Sequence, residues 1–410
     1  MASFLFKEDR PGEDPIFALN QEATARAARG DSVINATIGV LLEDDGSLAV
    51  LPTAARALRE VSETDWTAYA PIAGTPAFLG AVCDDLLRGH PTLRAAATAV
   101  ATPGGSGAIR HALSTFLEPD QAMLTTSYYW GPYAILADEH QRRVETFEMF
   151  DRRTGGINLE ALDHKLTELA KTQRRILVVV NEPCHNPTGY SMSDIEWSGM
   201  AKVLVRHAAK NPLTVMVDAA YLAYGPHGLA AAYSAFFEPL LGRALLLVAW
   251  SASKTFTFYG LRVGALVALW PEAEERRRIQ AALSYACRGT WSNCNRGGMT
   301  AVARLLADPE LATKVSAERA RIVALLDSRV VSFNEKARHT GLVYPRYEGG
   351  FFVTLFVDDA FGACERLKAD GVFVVPQRGT LRVALCAVRT DDIARLVDAL
   401  VRACGARPAA

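Results

Sequence analysis

Short apolar stretches alternate with longer amphipathic stretches from about residue 50 onward. The short stretches are apolar at successive positions, which is typical of strands that are buried on both faces of a sheet. Because amphipathic segments separate them, the pattern predicts an α/β fold with a mostly parallel sheet covered by helices. The predicted strands are 122–125, 176–180, 214–217, 245–249 and 263–269.

The two ends of the chain follow a different pattern. Charged residues and prolines mark the start, and a helical stretch follows at 18–29. A long helical stretch rich in Ala and Arg runs from about 308 to 337, and the short strands and closing helix beyond it indicate a smaller α+β domain. These last elements are strands at 350–357, 372–375 and 381–386 and a helix at 390–403.

The chain has 410 residues, which is enough for two or three domains with substantial cores. It contains no internal repeat and no low-complexity linker, so we expect the domains to form one protomer. The predicted parts are an N-terminal arm with part of the small domain at 1–48, a large domain at 49–306 and a small C-terminal domain at 307–410.

Charge and composition exclude several classes of protein. Lys and Arg number 44 and Asp and Glu 45, so no general field attracts nucleic acid or an anionic membrane. The most apolar window, 244–250, is far shorter than the roughly 20 residues that cross a bilayer, and the first ten residues lack a secretory pattern. The cysteines and histidines form no Cys-x-x-Cys or His-Glu-x-x-His motif. We expect a cytoplasmic protein with reduced thiols and no metal, nucleic-acid or membrane partner.

A turn of small residues, Thr102-Pro-Gly-Gly-Ser-Gly, precedes a helical pattern. Backbone N–H groups at such a helix start can bind a phosphate, and Ser106 adds a hydroxyl. The segment is neither a Gly-x-Gly-x-x-Gly fingerprint nor a Walker motif, which argues against the usual nucleotide sites. A structural turn is the alternative.

Polar side chains follow two of the predicted strands. Asn186 lies in an Asn-Pro-Thr-Gly segment after 176–180, and Asp218 and Tyr221 follow 214–217. Ligands of α/β sheets bind at the carboxyl ends of strands. Asp218 is therefore a candidate for holding a basic ring nitrogen protonated, with Asn186 and Tyr221 as hydrogen-bonding groups. A structural loop and a helix cap are the alternatives.

Lys254 stands among small and apolar residues shortly after the strand at 245–249. Such a lysine is a candidate for Schiff-base chemistry, and Ser251, Ser253 and Arg262 supply hydroxyls and a cation for a phosphate. A lysine that extends into solvent from a turn is the alternative.

Arg382 is a charge inside an apolar predicted strand. A buried guanidinium needs a partner, and a carboxylate suits its planar fork. A bound carboxylate and a structural salt bridge are both compatible with this position.

Taken in order, these motifs resemble the class I aminotransferases, which are fold type I enzymes dependent on pyridoxal 5′-phosphate. The order is a Gly-rich turn, Asn-Pro-Thr-Gly, Asp-x-x-Tyr, Ser-x-Ser-Lys with an arginine eight residues on, and a late arginine. The resemblance runs from Asp14-Pro-Ile to Arg382 and is strongest to the aspartate and aromatic amino acid branch. It implies transfer of the amino group of an L-amino acid, acidic or aromatic, to a 2-oxo acid such as 2-oxoglutarate by a ping-pong route.

The resemblance also implies roles for individual residues. Lys254 would form an aldimine with the cofactor and move the substrate's Cα proton. Asp218 would pair with the pyridine nitrogen, and Asn186 and Tyr221 would hydrogen-bond the cofactor's O3′. The other implied cofactor residues are Gly105, Ser106, Trp130, Ser251, Ser253, Arg262 and, from a neighbouring protomer, Tyr69.

The contribution of Tyr69 implies a homodimer with shared active sites. For the substrate, Arg382 matches the arginine that binds the α-carboxylate, and Gly39 matches a glycine that lines this pocket, with Asn186 and Trp130 beside it. Arg288 lies where the branch places an arginine that meets a distal carboxylate from the other subunit.

Two departures from the branch concern the choice of substrate. The double proline usual after Asn293 is replaced by Cys294-Asn295-Arg296, which makes Arg296 a rival of Arg288. Tyr133 stands where aspartate-specific members often have His. This change argues against strict specificity for aspartate.

Two other functions are compatible with these motifs. The same cofactor serves lyases and decarboxylases that act on specialised amino acids, and this is the main alternative. Some transcription regulators place the fold behind a basic DNA-binding module. The segment before residue 50 is too short and too acidic for such a module.

Overall fold

A computed structural model describes residues 4, 12, 14–225 and 229–406. Residues 1–3, 5–11 and 13 of the predicted N-terminal arm lie outside the described residues. The chain divides into two compact units. The larger unit comprises Ala49–Asp327 and Glu348–Gly350, and the smaller unit comprises the described residues of Met1–Leu48, Ser328–Tyr347 and Phe351–Ala410.

The strands form three sheets among the described residues. In chain order they are β1 Ile34–Asn35, β2 Ala97–Thr102, β3 Ala122–Thr126, β4 Arg143–Phe147, β5 Ile176–Asn181, β6 Leu213–Asp218, β7 Leu245–Ser251, β8 Gly264–Leu269, β9 Phe352–Phe356, β10 Val372–Phe373, β11 Val375–Gln377 and β12 Thr380–Ala384.

Helices connect and cover these strands. In chain order they are α1 Pro15–Ala28, α2 Pro52–Arg59, α3 Glu63–Thr67, α4 Pro76–Leu86, α5 Pro91–Ala95, α6 Gly104–Phe116, α7 Pro132–Glu139, α8 Leu159–Thr172, α9 Asp194–Ala208, α10 Ala230–Ala232, α11 Glu238–Leu240, α12 Ala252–Thr255, α13 Ala273–Arg288, α14 Arg296–Ala307, α15 Pro309–Ala337, α16 Ala360–Ala369 and α17 Ile393–Cys404. A π-helical turn over Tyr233–Phe237 joins α10 to α11, and 3₁₀ turns occur at Leu222–Tyr224, Leu385–Ala387 and Thr390–Asp392.

The larger unit is built on a seven-stranded sheet in the order β2-β8-β7-β6-β5-β3-β4. Strands β3 to β7 run parallel to one another, and β8 runs antiparallel to both β7 and β2. The central strands β5 and β6 are buried along their whole length, as strands covered on both faces must be. The predicted α/β fold with a mostly parallel sheet is confirmed.

The sequence pattern missed the two edge strands of this sheet, β2 and β4. Strand β2 consists of small residues, Ala-Thr-Ala-Val-Ala-Thr, and β4 is only half-buried, with Arg143 and Glu145 among its residues. Neither has the continuous run of large apolar side chains that marks the central strands. Edge strands need less apolar surface because one side of each has no neighbouring strand.

The smaller unit is an α+β structure with its own core. Strand β12 pairs antiparallel with β9 and β11, and β1 pairs parallel with β10. The core includes Phe333, Val353, Leu367 and Leu400. The compact units divide at 48 and again inside α15, between Asp327 and Ser328. This second division falls within one continuous helix, so the sequence pattern carries no signal for it. The predicted domain bounds of 49–306 and 307–410 stay a prediction.

A fully buried arginine ties three segments of the smaller unit together. Arg329 on α15 donates to the carbonyls of Cys386 and Leu42 and to Asp44 Oδ1, each at 2.8 Å. Burial works to raise the pKa of Asp44, but hydrogen bonds from Thr390 and Arg329 outweigh it and hold this pKa below its usual value. The buried guanidinium therefore supplies hydrogen-bond donors to two backbone carbonyls and to the half-exposed carboxylate of Asp44.

Among the described residues, no helix combines the length and the apolarity that crossing a bilayer requires.

We expect Arg329→Met to destabilise the smaller unit by about 3 kcal/mol, because two backbone carbonyls and Asp44 lose a buried donor. The midpoint of urea unfolding measures this loss. Lys314→Met is the matched control, since Lys314 lies on the same helix in an exposed pair with Glu310. Equal midpoints for the two variants would contradict the structural role of Arg329.

Candidate active site

The carboxyl ends of β5, β6 and β7 meet at one edge of the large sheet. Asn181 and Asp218, the last residues of β5 and β6, are paired in register, and Ser251 ends β7. A cavity of about 170 Å³ lies at this edge. Its lining consists of Gly105, Ser106, Ile109, Trp130, Asn181, Asn186, Asp218, Ala220, Tyr221, Ser251, Ser253, Lys254 and Arg262.

The predicted phosphate turn forms one side of the cavity. It leaves β2 at Thr102 and enters α6 at Gly104, whose φ is +68°. A Cβ at Gly104 would lie 2.5 Å from Nη2 of Arg262, and a Cβ at Gly264 would lie 2.6 Å from the backbone of Gly104. Both glycines are therefore required for the turn, β8 and the guanidinium to approach one another.

Arg262 and two serines give this side of the cavity its polarity. Arg262 Nη1 donates to Ser253 Oγ at 3.2 Å and to the Tyr259 carbonyl at 3.0 Å, and Nη2 donates to the Pro103 carbonyl at 3.3 Å. Ser251 Oγ accepts from the Ser253 amide at 3.2 Å. A cation, hydroxyls and the first amides of α6 together make a site for an anion.

Lys254 lies on the single-turn helix α12, directly after β7. It is half-buried, and its Nζ lies 4.8 Å from the ring centre of Tyr259 and 5.8 Å from that of Tyr221. The Tyr224 hydroxyl donates to the Lys254 carbonyl at 3.2 Å, and Arg319 Nε donates to the Thr255 carbonyl at 2.8 Å. The backbone carbonyls of Lys254 and Thr255 are thus held in place, and Lys254 lines the cavity.

Asp218 is a carboxylate that is only 4% exposed. Tyr133 donates its hydroxyl to Oδ2 at 2.6 Å, and the Ala220 amide donates to Oδ1 at 3.3 Å. Burial raises the pKa of Asp218 above its usual value, and these two hydrogen bonds and the positive charge of Lys254 offset only part of the rise. The site thus holds a buried acid whose ionised form is stabilised by its neighbours.

Three polar side chains join the ends of β5 and β6. Asn181 Nδ2 donates to the Asp218 carbonyl at 2.9 Å, and its Oδ1 accepts from the Asn186 amide at 2.6 Å. Asn186 Nδ2 in turn donates to the Tyr221 hydroxyl at 3.4 Å. The cavity thus brings Asn186, Asp218 and Tyr221 together.

Three lining residues, Ile109, Asn181 and Ala220, are not among the cavity residues that the sequence predicts. The signal for Asn181 was available, because it is a polar residue at the end of an apolar strand, like Asp218 on the adjacent strand. Ile109 carries no such signal, since an apolar residue on a helix is most often part of a core.

Two predicted substrate residues lie in the smaller unit. Arg382 on β12 is 5% exposed, donates from Nη2 to the Thr37 carbonyl at 2.6 Å, and has its Cζ 4.6 Å from the ring centre of Phe352. A Cβ at Gly39 would lie 2.4 Å from Cζ of the same ring. The Phe352 ring thus contacts both the backbone at Gly39 and the guanidinium.

Three other predicted residues do not line the cavity of this protomer. Tyr69 is 88% exposed. Arg296 donates to the Tyr69 carbonyl at 3.0 Å and to Asp65 Oδ1 at 3.2 Å. Arg288 is exposed and donates to Ser292 Oγ at 2.7 Å. Arg296 is therefore engaged in holding the segment around Tyr69, whereas Arg288 extends from the end of α13.

The groups around the cavity suit a ligand with three features. One side offers a cation and hydroxyls for a phosphate, and Asp218 offers a buried negative charge for a protonated ring nitrogen. Lys254 offers an amine for covalent attachment to a carbonyl carbon. Pyridoxal 5′-phosphate carries all three features, so the residues present fit this cofactor.

Comparison with known proteins agrees with this chemistry. Residues 31–400 match the family model described as aminotransferase class I and II. The chain is 29% identical over 315 residues to an aromatic-amino-acid aminotransferase from Paracoccus denitrificans, covering 74% of this chain and 75% of the relative. It is 28% identical over 404 residues to an aspartate aminotransferase from Pseudomonas aeruginosa, covering 95% of this chain and 96% of the relative.

A solved structure gives the same result. The crystal structure of an aminotransferase from Anaerococcus prevotii superposes with a TM-score of 0.93 at 31% identity, covering 98% of this chain and all of that chain. The names of these relatives do not favour the lyase alternative. The chain therefore belongs to the class I and II aminotransferase family and is a pyridoxal 5′-phosphate-dependent aminotransferase of fold type I.

Proposed function

We propose that the enzyme transfers the amino group of an acidic or aromatic L-amino acid to a 2-oxo acid such as 2-oxoglutarate by a ping-pong route. The observation that carries this proposal is that one cavity brings together Lys254, Asp218 and Arg262. The names of the relatives support the substrate classes, since they include aspartate and aromatic-amino-acid aminotransferases.

The cofactor's phosphate is assigned to the anion site of the cavity. Arg262 supplies the positive charge, Ser106, Ser251 and Ser253 supply hydroxyls, and Gly105 supplies a backbone amide. Gly105 can contribute its amide because it lies in the first turn of α6, where N–H groups lack partners within the helix. Trp130 lines the same cavity and is assigned to cover the face of the cofactor ring.

The reacting groups are Asp218, Lys254, Asn186 and Tyr221. Pyridoxal 5′-phosphate, when bound, supplies an electron-poor ring that stabilises negative charge at the substrate Cα. Asp218, as a carboxylate, would hold a proton on the ring nitrogen. Asn186 and Tyr221 would donate hydrogen bonds to the phenolic oxygen O3′. Lys254 Nζ would take up the substrate Cα proton as a base and return it as a general acid.

Substrate binding is assigned to Arg382, Gly39, Asn186 and Trp130. The resemblance to the aspartate and aromatic branch carries this assignment, and the burial of the guanidinium in β12 supports it. A buried arginine binds a carboxylate strongly because its planar fork makes two parallel hydrogen bonds. Fixing the α-carboxylate also orients the Cα–H bond, which selects the reaction.

Arg288, rather than Arg296, is assigned to the distal carboxylate of an acidic substrate. Arg296 already holds Asp65 and the Tyr69 carbonyl. Arg288 contacts the neutral hydroxyl of Ser292, so its positive charge is available for an anionic substrate group.

A homodimer with shared active sites completes this assignment. Tyr69 and Tyr285 of the larger unit are 88% and 83% exposed, and exposed large aromatic side chains are typical of interfaces. In such a dimer, Tyr69 and Arg288 serve the site of the other protomer.

A cytoplasmic location accords with the seven cysteines, all of which are free thiols.

The test of the proposed function is a titration of the holoenzyme with aspartate, glutamate, phenylalanine or tyrosine, each without an oxo acid. Lys254→Ala is the variant. We expect amino donors to convert the cofactor absorbance of the wild-type enzyme to that of its aminated form. In the variant the rate of this conversion should fall by about 10²–10⁴-fold, because it lacks the group that moves the proton. A near-normal rate in the variant, or no conversion of the wild-type enzyme by any donor, would contradict the proposal.

The turn around Gly104 generates a second prediction. Gly264→Ala should weaken cofactor binding by about tenfold, because its Cβ would displace the Gly104 backbone and an overpacked site costs roughly 1–3 kcal/mol. Equilibrium dialysis of the apoenzyme against pyridoxal 5′-phosphate measures this change. Gly80→Ala is the control, since a Cβ there meets nothing within 4 Å. Equal affinities in both variants would contradict the role of the turn around Gly104 in cofactor binding.

The role of Arg288 generates a third prediction. Arg288→Ala should lower kcat/KM for aspartate and glutamate by about 10–100-fold, the worth of a charge-assisted hydrogen bond, and change that for phenylalanine far less. Arg278→Ala is the control, because Arg278 lies on the same helix in an exposed pair with Glu275. Equal losses for acidic and aromatic donors would contradict the assignment.

Mixed dimers distinguish a shared site from an independent one. A dimer of one Lys254→Ala protomer and one Arg288→Ala protomer carries one intact site only if Arg288 serves the partner's site. We expect such hybrids to recover activity toward aspartate. Hybrids with no recovery would show that each protomer uses its own Arg288.

A further inference from the structure

Tyr133 is a polar side chain at the active site to which the proposed chemistry gives no role. It lies in the first turn of α7 and is fully buried. Its ring meets Trp130 edge-on, with centres 5.7 Å apart, and lies parallel to Tyr129 at 6.3 Å. The ring is therefore held by packing, and its hydroxyl has a fixed direction.

That hydroxyl is directed at Asp218. The O–O distance of 2.6 Å is short for a hydrogen bond from a neutral donor, as expected when the acceptor is charged. Burial, and then the charge of Asp218, raise the pKa of Tyr133 well above its ordinary value. The phenol therefore keeps its proton and donates a hydrogen bond to the carboxylate.

The other groups that face Asp218 act from different elements. The Ala220 backbone amide donates to Oδ1 at the longer distance of 3.3 Å, and Lys254 acts through its charge. Asn181 donates to the backbone carbonyl of Asp218 and not to its carboxylate. The nearby Tyr221 hydroxyl meets Asn186. Over the described parts of the chain, no side chain other than Tyr133 hydrogen-bonds the Asp218 carboxylate.

We propose that Tyr133 is a positioning residue that holds Asp218 ionised and oriented, and that through Asp218 it sets the protonation of the cofactor's ring nitrogen. This inference rests on the proposed pairing of Asp218 with that nitrogen. A phenol is a neutral donor, so it stabilises the carboxylate without cancelling its charge. The full negative charge therefore stays available for the ring nitrogen at every pH at which Asp218 itself is ionised.

The experiment compares Tyr133→Phe with Tyr129→Phe, its matched control. Both variants lose one phenolic hydroxyl from adjacent aromatic rings, and only the first removes the donor to Asp218. Two readouts are measured. The first is the carboxyl infrared band of Asp218 in the apoenzyme across pH, identified by its absence in Asp218→Asn. The second is the dissociation constant of pyridoxal 5′-phosphate.

In Tyr133→Phe, we expect Asp218 to become protonated at higher pH than in the wild-type apoenzyme, because a hydrogen bond to the ionised form is lost. The cofactor should bind about tenfold more weakly. Tyr129→Phe should match the wild-type protein in both measurements. A Tyr133→Phe protein with wild-type Asp218 titration and wild-type cofactor affinity would overturn the proposal.

Two comparisons separate this inference from the alternatives. Tyr133→Phe keeps the packed ring and removes only the hydroxyl, so a loss in this variant that Tyr129→Phe does not share is assigned to the hydrogen bond. Asp218→Asn tests the pairing itself. If Asp218→Asn leaves cofactor affinity unchanged, the assignment of Asp218 fails, whereas a loss with Asp218→Asn but none with Tyr133→Phe refutes only the role of Tyr133.

Discussion

The active site depends on keeping one carboxylate charged where the protein has excluded water. Asp218 is buried at the end of the central strand β6, and burial alone disfavours its ionised form. Three groups from different elements oppose this cost: the Tyr133 hydroxyl from α7, the Ala220 amide and the charge of Lys254 from α12. The register of β5 and β6 places Asn181 beside Asp218 and fixes its backbone. The sheet therefore positions Asp218 so that these neighbouring groups can stabilise its buried charge.

The opposite requirement applies to the anion site, where positive groups must come close to backbone. Arg262 lies against the turn at Gly104, and Gly264 lies against the same turn from β8. A side chain at Gly104 would clash with the guanidinium, and a side chain at Gly264 would clash with the backbone of Gly104. The site thus combines a buried carboxylate, Asp218, with a guanidinium, Arg262, that packs closely against the backbone turn at Gly104.

Much of this arrangement could be predicted from the sequence because it is local. The central strands are continuous apolar runs, and the motifs around Asp218 and Lys254 follow them directly, so a parallel sheet brings their ends together. The edge strands β2 and β4 could not be found in this way, since small or half-exposed residues carry a weak periodic signal. The division inside α15 leaves no trace in the sequence either, because a helix keeps the same period when its packing partners change. Tyr133 was noticed only as a departure in substrate choice, since its partner lies 85 residues away in the chain.

The contrast between Arg288 and Arg296 shows why residue type and spacing do not suffice to assign a substrate cation. Both are arginines within one short segment, and the sequence makes them rivals. The fold separates them by their partners: Arg296 meets a carboxylate and a backbone carbonyl, whereas Arg288 meets a serine hydroxyl. A guanidinium that already balances a carboxylate gains less from a second anion than one that does not. The partners within the protomer, rather than the motif, therefore support the proposed assignment of Arg288 over Arg296 to the distal carboxylate.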